Sequence, residues 1–329
     1  MRLLALFLYL FPTFFYTTMK LLKHFILPLA IACTFVACGS DNNDDNGNGN
    51  GGNQIGQVSK NENANDPAIN RFDTRLEFPH LKGGKSLLLV HTTKDSYDKD
   101  GVNLSIEWDA SKKAQRWTCY QMHKGFGGTA GRYPDFEEDP DLPADARFSS
   151  SSDMFRGSGF TRGHICPSAD RQYSRDANHQ TFYYSNIQPQ YYSFNAGDGY
   201  TGAWVKMEGQ LRTWSSQLGN EDTLYVCKGG TIDREDQILT RIKGEMIVPK
   251  YFFVALLMKN RSGYKALGFW FEHDNVSHPN LNLADYVVNI DQLEQLTGID
   301  FFCNLPDDTE NHVEGLSVDN IIRAWGLKK

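Results

Sequence analysis

The chain has 329 residues, enough for one large domain or two ordinary ones, and its 40% hydrophobic and 13% aromatic content excludes a wholly disordered protein. A formal net charge of −7, from 33 Lys+Arg against 40 Asp+Glu, excludes a polybasic nucleic-acid coat. It leaves room for a small basic cleft on an acidic body.

Residues 1–37 contain Arg2, Lys20 and Lys23 and no acidic residue. Pro12 interrupts a first apolar run over residues 3–15, and a second run over 24–36 follows Met19-Lys20-Leu21-Leu22-Lys23. It ends in Ala37-Cys38-Gly39-Ser40 and is short for a membrane span. A small residue before a cysteine at the end of such a run is similar to a bacterial lipoprotein signal. Residues 1–37 are therefore expected to be a cleaved signal peptide and Cys38 the lipidated first residue of the mature chain. That implies export and a lipid anchor in the bacterial outer membrane. The acidic residues soon after Cys38 resemble a signal for display on the cell surface. Residues 38–69 are rich in Asn, Gly and Asp without apolar periodicity and read as a disordered tether. Residues 70–329 are then expected to form one domain.

Within that domain the spacing predicts strands over residues 85–91, 103–108, 116–122, 223–228, 247–259 and 264–272. The second and third read as a hairpin joined through Ala110-Ser111-Lys112-Lys113. Trp204, Met207, Leu211, Trp214 and Leu218 recur at steps of three and four, which predicts a helix over 203–218. Further helices are expected over 289–296, closed by Gly298, and over 318–325, with Ser317 as N-cap. Strands and helices do not alternate strictly, so the fold class is α+β, with a mixed or antiparallel sheet and helices. Cys119, Cys166, Cys227 and Cys303 lack metal-ligand spacing, and the sequence leaves disulfides and free thiols equally open.

Residues able to do chemistry cluster between positions 156 and 212. In Thr161-Arg162-Gly163-His164 a cation and an imidazole stand two residues apart, on the same face of a strand. Asn186-Ile187-Gln188-Pro189-Gln190 and Phe194-Asn195 follow, and the predicted helix carries Glu208 and Arg212 one turn apart, where they can pair. A histidine can deprotonate water near neutral pH, a neutral amide can hold a hard divalent ion, and arginines can hold phosphate charge. These are the parts of a metal-assisted phosphodiesterase.

These strings resemble the DNA/RNA non-specific endonucleases, the ββα-metal nucleases of the Serratia nuclease and endonuclease G type. The family's Asp-Arg-Gly-His string appears as Thr161-Arg162-Gly163-His164 and its Asn-x-x-Pro-Gln string as Asn186-Ile187-Gln188-Pro189-Gln190. Phe194-Asn195 matches the family's metal-binding asparagine, and Gly202-Ala203-Trp204-Val205-Lys206-Met207-Glu208 matches its helix start. Val248-Pro249-Lys250-Tyr251-Phe252 and Leu296-Thr297-Gly298-Ile299-Asp300-Phe301-Phe302 match its usual endings. The resemblance implies a ββα-metal fold and Mg2+-dependent, sequence-non-specific cleavage of DNA and RNA to 5′-phosphate products, with Mn2+ as an alternative ion. It implies His164 as general base, Asn195 as metal ligand and Glu208 as the group that positions a water on that ion. Arg162 and Arg212 would hold the phosphate, Asn186 would support the histidine loop, and Arg132 is the candidate for a further substrate-binding arginine.

Two departures bear on activity. Thr161 stands where the family has aspartate, and six residues, 196–201, separate Asn195 from Gly202, a longer gap than usual. They motivate an alternative reading as a weak or inactive surface nucleic-acid-binding lipoprotein of the same fold. Charge is unevenly spread: residues 156–215 carry six basic and four acidic residues, so the acidity lies elsewhere.

Overall fold

The computed structural model describes residues 60–68 and 70–329. Along the chain come β1 (Ser86–Thr92), β2 (Val102–Asp109), β3 (Ala114–His123), α1 (Ser151–Phe155), β4 (Thr161–His164), α2 (Arg175–Gln180), β5 (Ile187–Gln190), α3 (Tyr192–Asn195) and α4 (Ala203–Ser216). They are followed by β6 (Thr223–Gly230), β7 (Ile238–Ile242), β8 (Met246–Pro249), β9 (Tyr251–Asn260), β10 (Gly263–Glu272), β11 (Val287–Val288), α5 (Ile290–Thr297), α6 (Asp307–Glu314) and α7 (Val318–Ala324). Seven strands make one sheet in the order β1-β2-β3-β6-β9-β10-β11, every pairing antiparallel. The fold is the expected α+β arrangement.

Side-chain alternation explains why this sheet is covered on both faces. Tyr120 and Met122 of β3, Leu224 and Val226 of β6, and Phe252, Val254, Leu256 and Met258 of β9 enter one core. Trp117, Cys119, Tyr225, Cys227, Phe253, Ala255 and Leu257, one step out of phase, enter a second. The first core takes the predicted helix stripe, with Trp204, Met207, Leu211, Trp214 and Leu218 all buried. The second takes Phe78 together with Ile290, Leu293 and Val313 of α5 and α6. At roughly 25 cal/mol per Å2 of apolar surface removed from water, this double cover is the main term holding the domain together. All four described cysteines are buried free thiols.

The helix ends follow the capping expectations in part. Asn289 caps α5 by accepting from the Gln292 backbone N–H at 2.9 Å, and Gly298 ends it with φ 72°. Ser317 occupies the N-cap position of α7, but its hydroxyl makes no capping hydrogen bond. The single strand expected over 247–259 is two strands broken at Lys250. Pro249 lacks an N–H for continued pairing and ends β8 opposite Ile238, while Lys250 turns its N–H to Gln237 O at 2.9 Å. From Tyr251 the chain enters the large sheet.

Order also begins earlier than residue 70. Asn61 Nδ2 donates to Leu305 O at 2.7 Å, Asn63 Nδ2 to Glu310 Oε1 at 2.9 Å, and the buried Asn65 Nδ2 to Pro79 O at 3.0 Å. Asparagine amides dock residues 60–68 on the body by polar contacts, which apolar periodicity cannot reveal. The expected signal over 1–37, the lipidated Cys38 and residues 38–59 of the tether lie outside the described residues. No helix among the described residues is long and apolar enough to cross a membrane.

Candidate active site

β4 and β5 form a separate two-stranded antiparallel pair, with His164 opposite Ile187 and Arg162 opposite Pro189. Gly163 lies against the buried Gln190, whose side-chain atoms would stand 2.2 Å from a Cβ, so glycine is what lets the two strands close. The two-residue spacing puts Arg162 and His164 on one face, where the Phe136 ring meets both. The His164 ring packs edge-on against Phe182 at 4.9 Å between centroids. Its Nε2 is buried and has no hydrogen-bond partner among the described residues. Burial first, then the nearby charges of Arg132 and Lys228, push the imidazole down to about 3. It is therefore a neutral base at physiological pH. Arg162 is packed among Phe136, Phe155 and Tyr184, and its Nε is likewise buried without a partner.

Asn186 stands behind this strand, fully buried. Its Oδ1 accepts from Cys166 N at 2.8 Å, and its Nδ2 donates to Cys166 O and Thr181 O, both at 2.9 Å. The whole amide is spent on backbone two residues past His164, so it braces the histidine loop and does not face substrate.

Thr161 proves to be a link between strand and asparagine. Its hydroxyl donates to Gln190 O at 2.9 Å and accepts from Asn195 Nδ2 at 3.0 Å. With the amide nitrogen fixed in this way, Asn195 keeps its carbonyl oxygen for another partner. The loop after Asn195 closes on itself, Gly202 N donating to Ala196 O at 2.9 Å, so the extra residues bulge outward and leave Tyr200 76% exposed. A Cβ on Gly202 would lie 2.6 Å from Phe194 O and 2.7 Å from Asn195 O. Glycine there allows α4 to begin directly against Asn195.

α4 is tied to the histidine strand by Trp204 Nε1, which donates to His164 O at 2.9 Å. Arg212 keeps the expected one-turn pair with Glu208 as its longer contact and gains a closer partner. Its Nη1 lies 3.0 Å from Asp170 Oδ1 and 3.9 Å from Glu208 Oε2, so the buried Asp170 takes most of its charge. Glu208 is left with no hydrogen-bond donor among the described residues. Burial is the main cause that pushes its carboxyl up to about 7, with Asp170 adding to the rise and Lys228 and Arg212 opposing it. Arg132 is exposed at the rim, its guanidinium 4.6 Å from the centre of the Phe182 ring that backs His164.

Sequence reasoning missed Asp170 and Lys228. Lys228 is fully buried on the same face of β6 as Leu224 and Val226, with its Nζ unpartnered and within 5.2 Å of the Tyr120 and Trp204 ring centres. Its charge acts on both His164 and Glu208, which sets the two around one buried ammonium. A signal was present, because a lysine at an inward-facing step of an apolar strand is a costly choice. Asp170 carried none beyond its place six residues after His164.

The donors present fit a hard divalent ion: a free amide oxygen on Asn195 and a carboxylate on Glu208 that no N–H or O–H claims. Cys166, two residues past His164, is buried with its thiol pushed up to about 11 by burial, so it stays a neutral thiol.

The family described as DNA/RNA non-specific endonuclease matches residues 90–308. A nuclease from Nostoc sp. is 32% identical over 238 residues, covering 69% of this chain and 81% of its own. The human mitochondrial nuclease EXOG is 28% identical over 230 residues, covering 66% of this chain and 60% of its own. Bovine mitochondrial endonuclease G is 27% identical over 217 residues, covering 63% of this chain and 69% of its own. The chain thus spans less than two thirds of the EXOG relatives' length. Its fold is that of endonuclease G in the crystal structure of the EndoG/EndoGI complex, with a TM-score of 0.52, 18% identity, and coverage of 68% of this chain and 89% of that one. With a family match across about two thirds of its length, the chain belongs to the DNA/RNA non-specific endonuclease family.

Proposed function

We propose that the protein is a Mg2+-dependent endonuclease that hydrolyses DNA and RNA with little sequence preference, leaving 5′-phosphate and 3′-hydroxyl ends. The observation that carries this reading is His164, a neutral imidazole with an unpartnered Nε2 on the same strand face as Arg162. Asn195 is the residue that would hold the ion, Mg2+ or, in its place, Mn2+, and Glu208 would orient water there. When bound, it supplies Lewis-acid stabilisation of charge on the phosphate and the leaving oxygen. The protein's own groups do the rest. His164 Nε2 takes a proton from the attacking water as its oxygen bonds phosphorus, and the 3′ oxygen leaves and takes up a proton from solvent. Arg162 and Arg212 face the charge that builds on the phosphate, and Arg132 at the rim meets the incoming backbone. Asn186 and Thr161 hold His164 and Asn195 in position.

The test is plasmid DNA and a structured RNA incubated with the full chain, with Mg2+ or with EDTA. Mg2+-dependent cleavage of both to ligatable 5′-phosphate ends is expected, and His164→Ala is expected to reduce it by roughly 100-fold to 10,000-fold. Binding without turnover would instead support the inactive-lipoprotein reading, and full cleavage by His164→Ala would remove the assigned base. We further propose export and anchoring through a lipid on Cys38. Radiolabelled palmitate incorporated into the wild type but not into Cys38→Ser is the expected result.

A further inference from the structure

Away from the catalytic face, the C-terminal helices bring three carboxylates together. Asp291 and Glu294 of α5 and Glu314 of α6 each place one oxygen within 4.8 Å of the others. Glu314 is only 6% exposed, and its Oε1 has no hydrogen-bond partner among the described residues. Burial first, then the carboxylates of Glu294, Glu310, Asp291 and Asp300, push its carboxyl up to about 10. Glu314 is also the last residue of α6, where the free carbonyls of the helix end add negative charge. A buried, crowded, donorless carboxylate oxygen at a helix C-terminus is costly unless a proton or a cation neutralises it, and a cation competes with the proton for this site.

The local backbone brings the carboxylates together. Gly315 brings the helix end close to Asp291, whose Oδ2 lies 3.3 Å from where a Cβ would stand. Glu294 commits one oxygen to Phe301 N at 2.7 Å and keeps the other. Asp291 is exposed and Glu294 half-buried, which opens the cluster to solvent on one side. A second grouping, His91 with Asp139 and Asp141, differs in kind. There the His91 ring nitrogens lie 2.9 Å from Asp139 and 3.4 Å from Asp141, so the histidine itself meets both acids.

We propose that Asp291, Glu294 and Glu314 form a structural site for a hard divalent cation, Ca2+ by its ligand set, that clamps α5 to α6. The donors are all carboxylate oxygens from two helices, three in number, and water must complete the shell. Ca2+ accepts such a set with water completing six to eight ligands, whereas Mg2+ demands a near-ideal octahedron. The clamp would secure Ile290, Leu293 and Val313, which these helices insert into the second core. It also adjoins Asn63, which binds Asp300 and Glu310 and docks the start of the ordered chain.

Thermal melting of the full chain with added CaCl2 tests the site, with Asn195→Ala as background to blunt the catalytic metal position. At Ca2+ about a hundredfold above Kd, the midpoint is expected to rise by about 5 °C in both wild type and Asn195→Ala. Glu314→Gln is expected to abolish that rise while nuclease activity in Mg2+ is unchanged. Asp291→Asn, at an exposed position where folding is not at stake, is expected to weaken Ca2+ on the order of tenfold by isothermal titration. A Ca2+ shift that survives in Glu314→Gln, one that disappears in Asn195→Ala, or none in the wild type would each overturn the proposal.

Discussion

Asn186→Ala separates bracing from direct catalysis. The side chain makes three hydrogen bonds, all to backbone, in a place closed to solvent. Removing it strands the Cys166 N–H and two carbonyls. At a net 0.5–1.5 kcal/mol per bond, the loss is about 3 kcal/mol. For a domain of this size that lowers the melting midpoint by about 6 °C. The same loss loosens the turn two residues after His164, so kcat is expected to fall on the order of 100-fold with KM little changed. Asn186→Asp is a sharper probe, since it would point a carboxylate oxygen at the carbonyls of Cys166 and Thr181. It is expected to be less stable than alanine. Urea denaturation with steady-state plasmid cleavage reads both effects. An alanine variant that keeps its urea midpoint but loses activity would refute the argument, because Asn186 would then have to act on substrate directly.

Thr161→Val removes the hydroxyl that fixes the Asn195 amide but keeps the strand. The Mg2+ concentration for half-maximal activity is expected to rise on the order of tenfold, read by Mg2+ titration of plasmid nicking, with the melting midpoint nearly unchanged. The acid limb of the pH–rate profile is expected near 7, where Glu208 ionises, because His164 is already neutral well below that. Lys228→Met removes the charge that most opposes the rise of Glu208, so the limb is expected to move to higher pH, read as log kcat/KM against pH. Sign follows from linkage. Glu208 binds its proton more tightly folded than unfolded, so the stability it contributes is full below its ordinary range near 4.5 and is lost as pH rises through about 7. Glu208→Gln is expected to flatten that fall in urea midpoints between about pH 5 and 8.

Much of the sheet was legible because its physics is local. β2, β3, β6, β9 and β10 announce themselves by alternating apolar and β-branched residues, and α4 by its stripe from Trp204 to Leu218. β4 and β5 have four residues each and few apolar ones, so only their motif strings marked them. The break at Lys250 was hidden because apolar content is continuous across Pro249. The Arg212–Asp170 pair was invisible because helix spacing favours Glu208, whereas a partner 42 positions away is chosen by tertiary packing. Residues 60–68 were read as tether because their order comes from amide hydrogen bonds and not from buried apolar surface.

The site also shows where the fold accepts cost. His164 Nε2, Arg162 Nε, both amide atoms of Gln190 and Lys228 Nζ are buried without partners, and all belong to β4, β5 or the segment of β6 nearby. Each such atom costs about 1–3 kcal/mol if it stays unpaired. Elsewhere the same sheet face is filled by Leu224, Val226, Val254 and Leu256, which cost nothing of the kind. Natural chains concentrate unmet polar groups where a ligand or transition state will meet them. On the proposed function, a body of net charge −7 would hold phosphate by these few focused groups. The surrounding acidity would then favour release of a polyanionic product, which suits the proposed turnover better than retention.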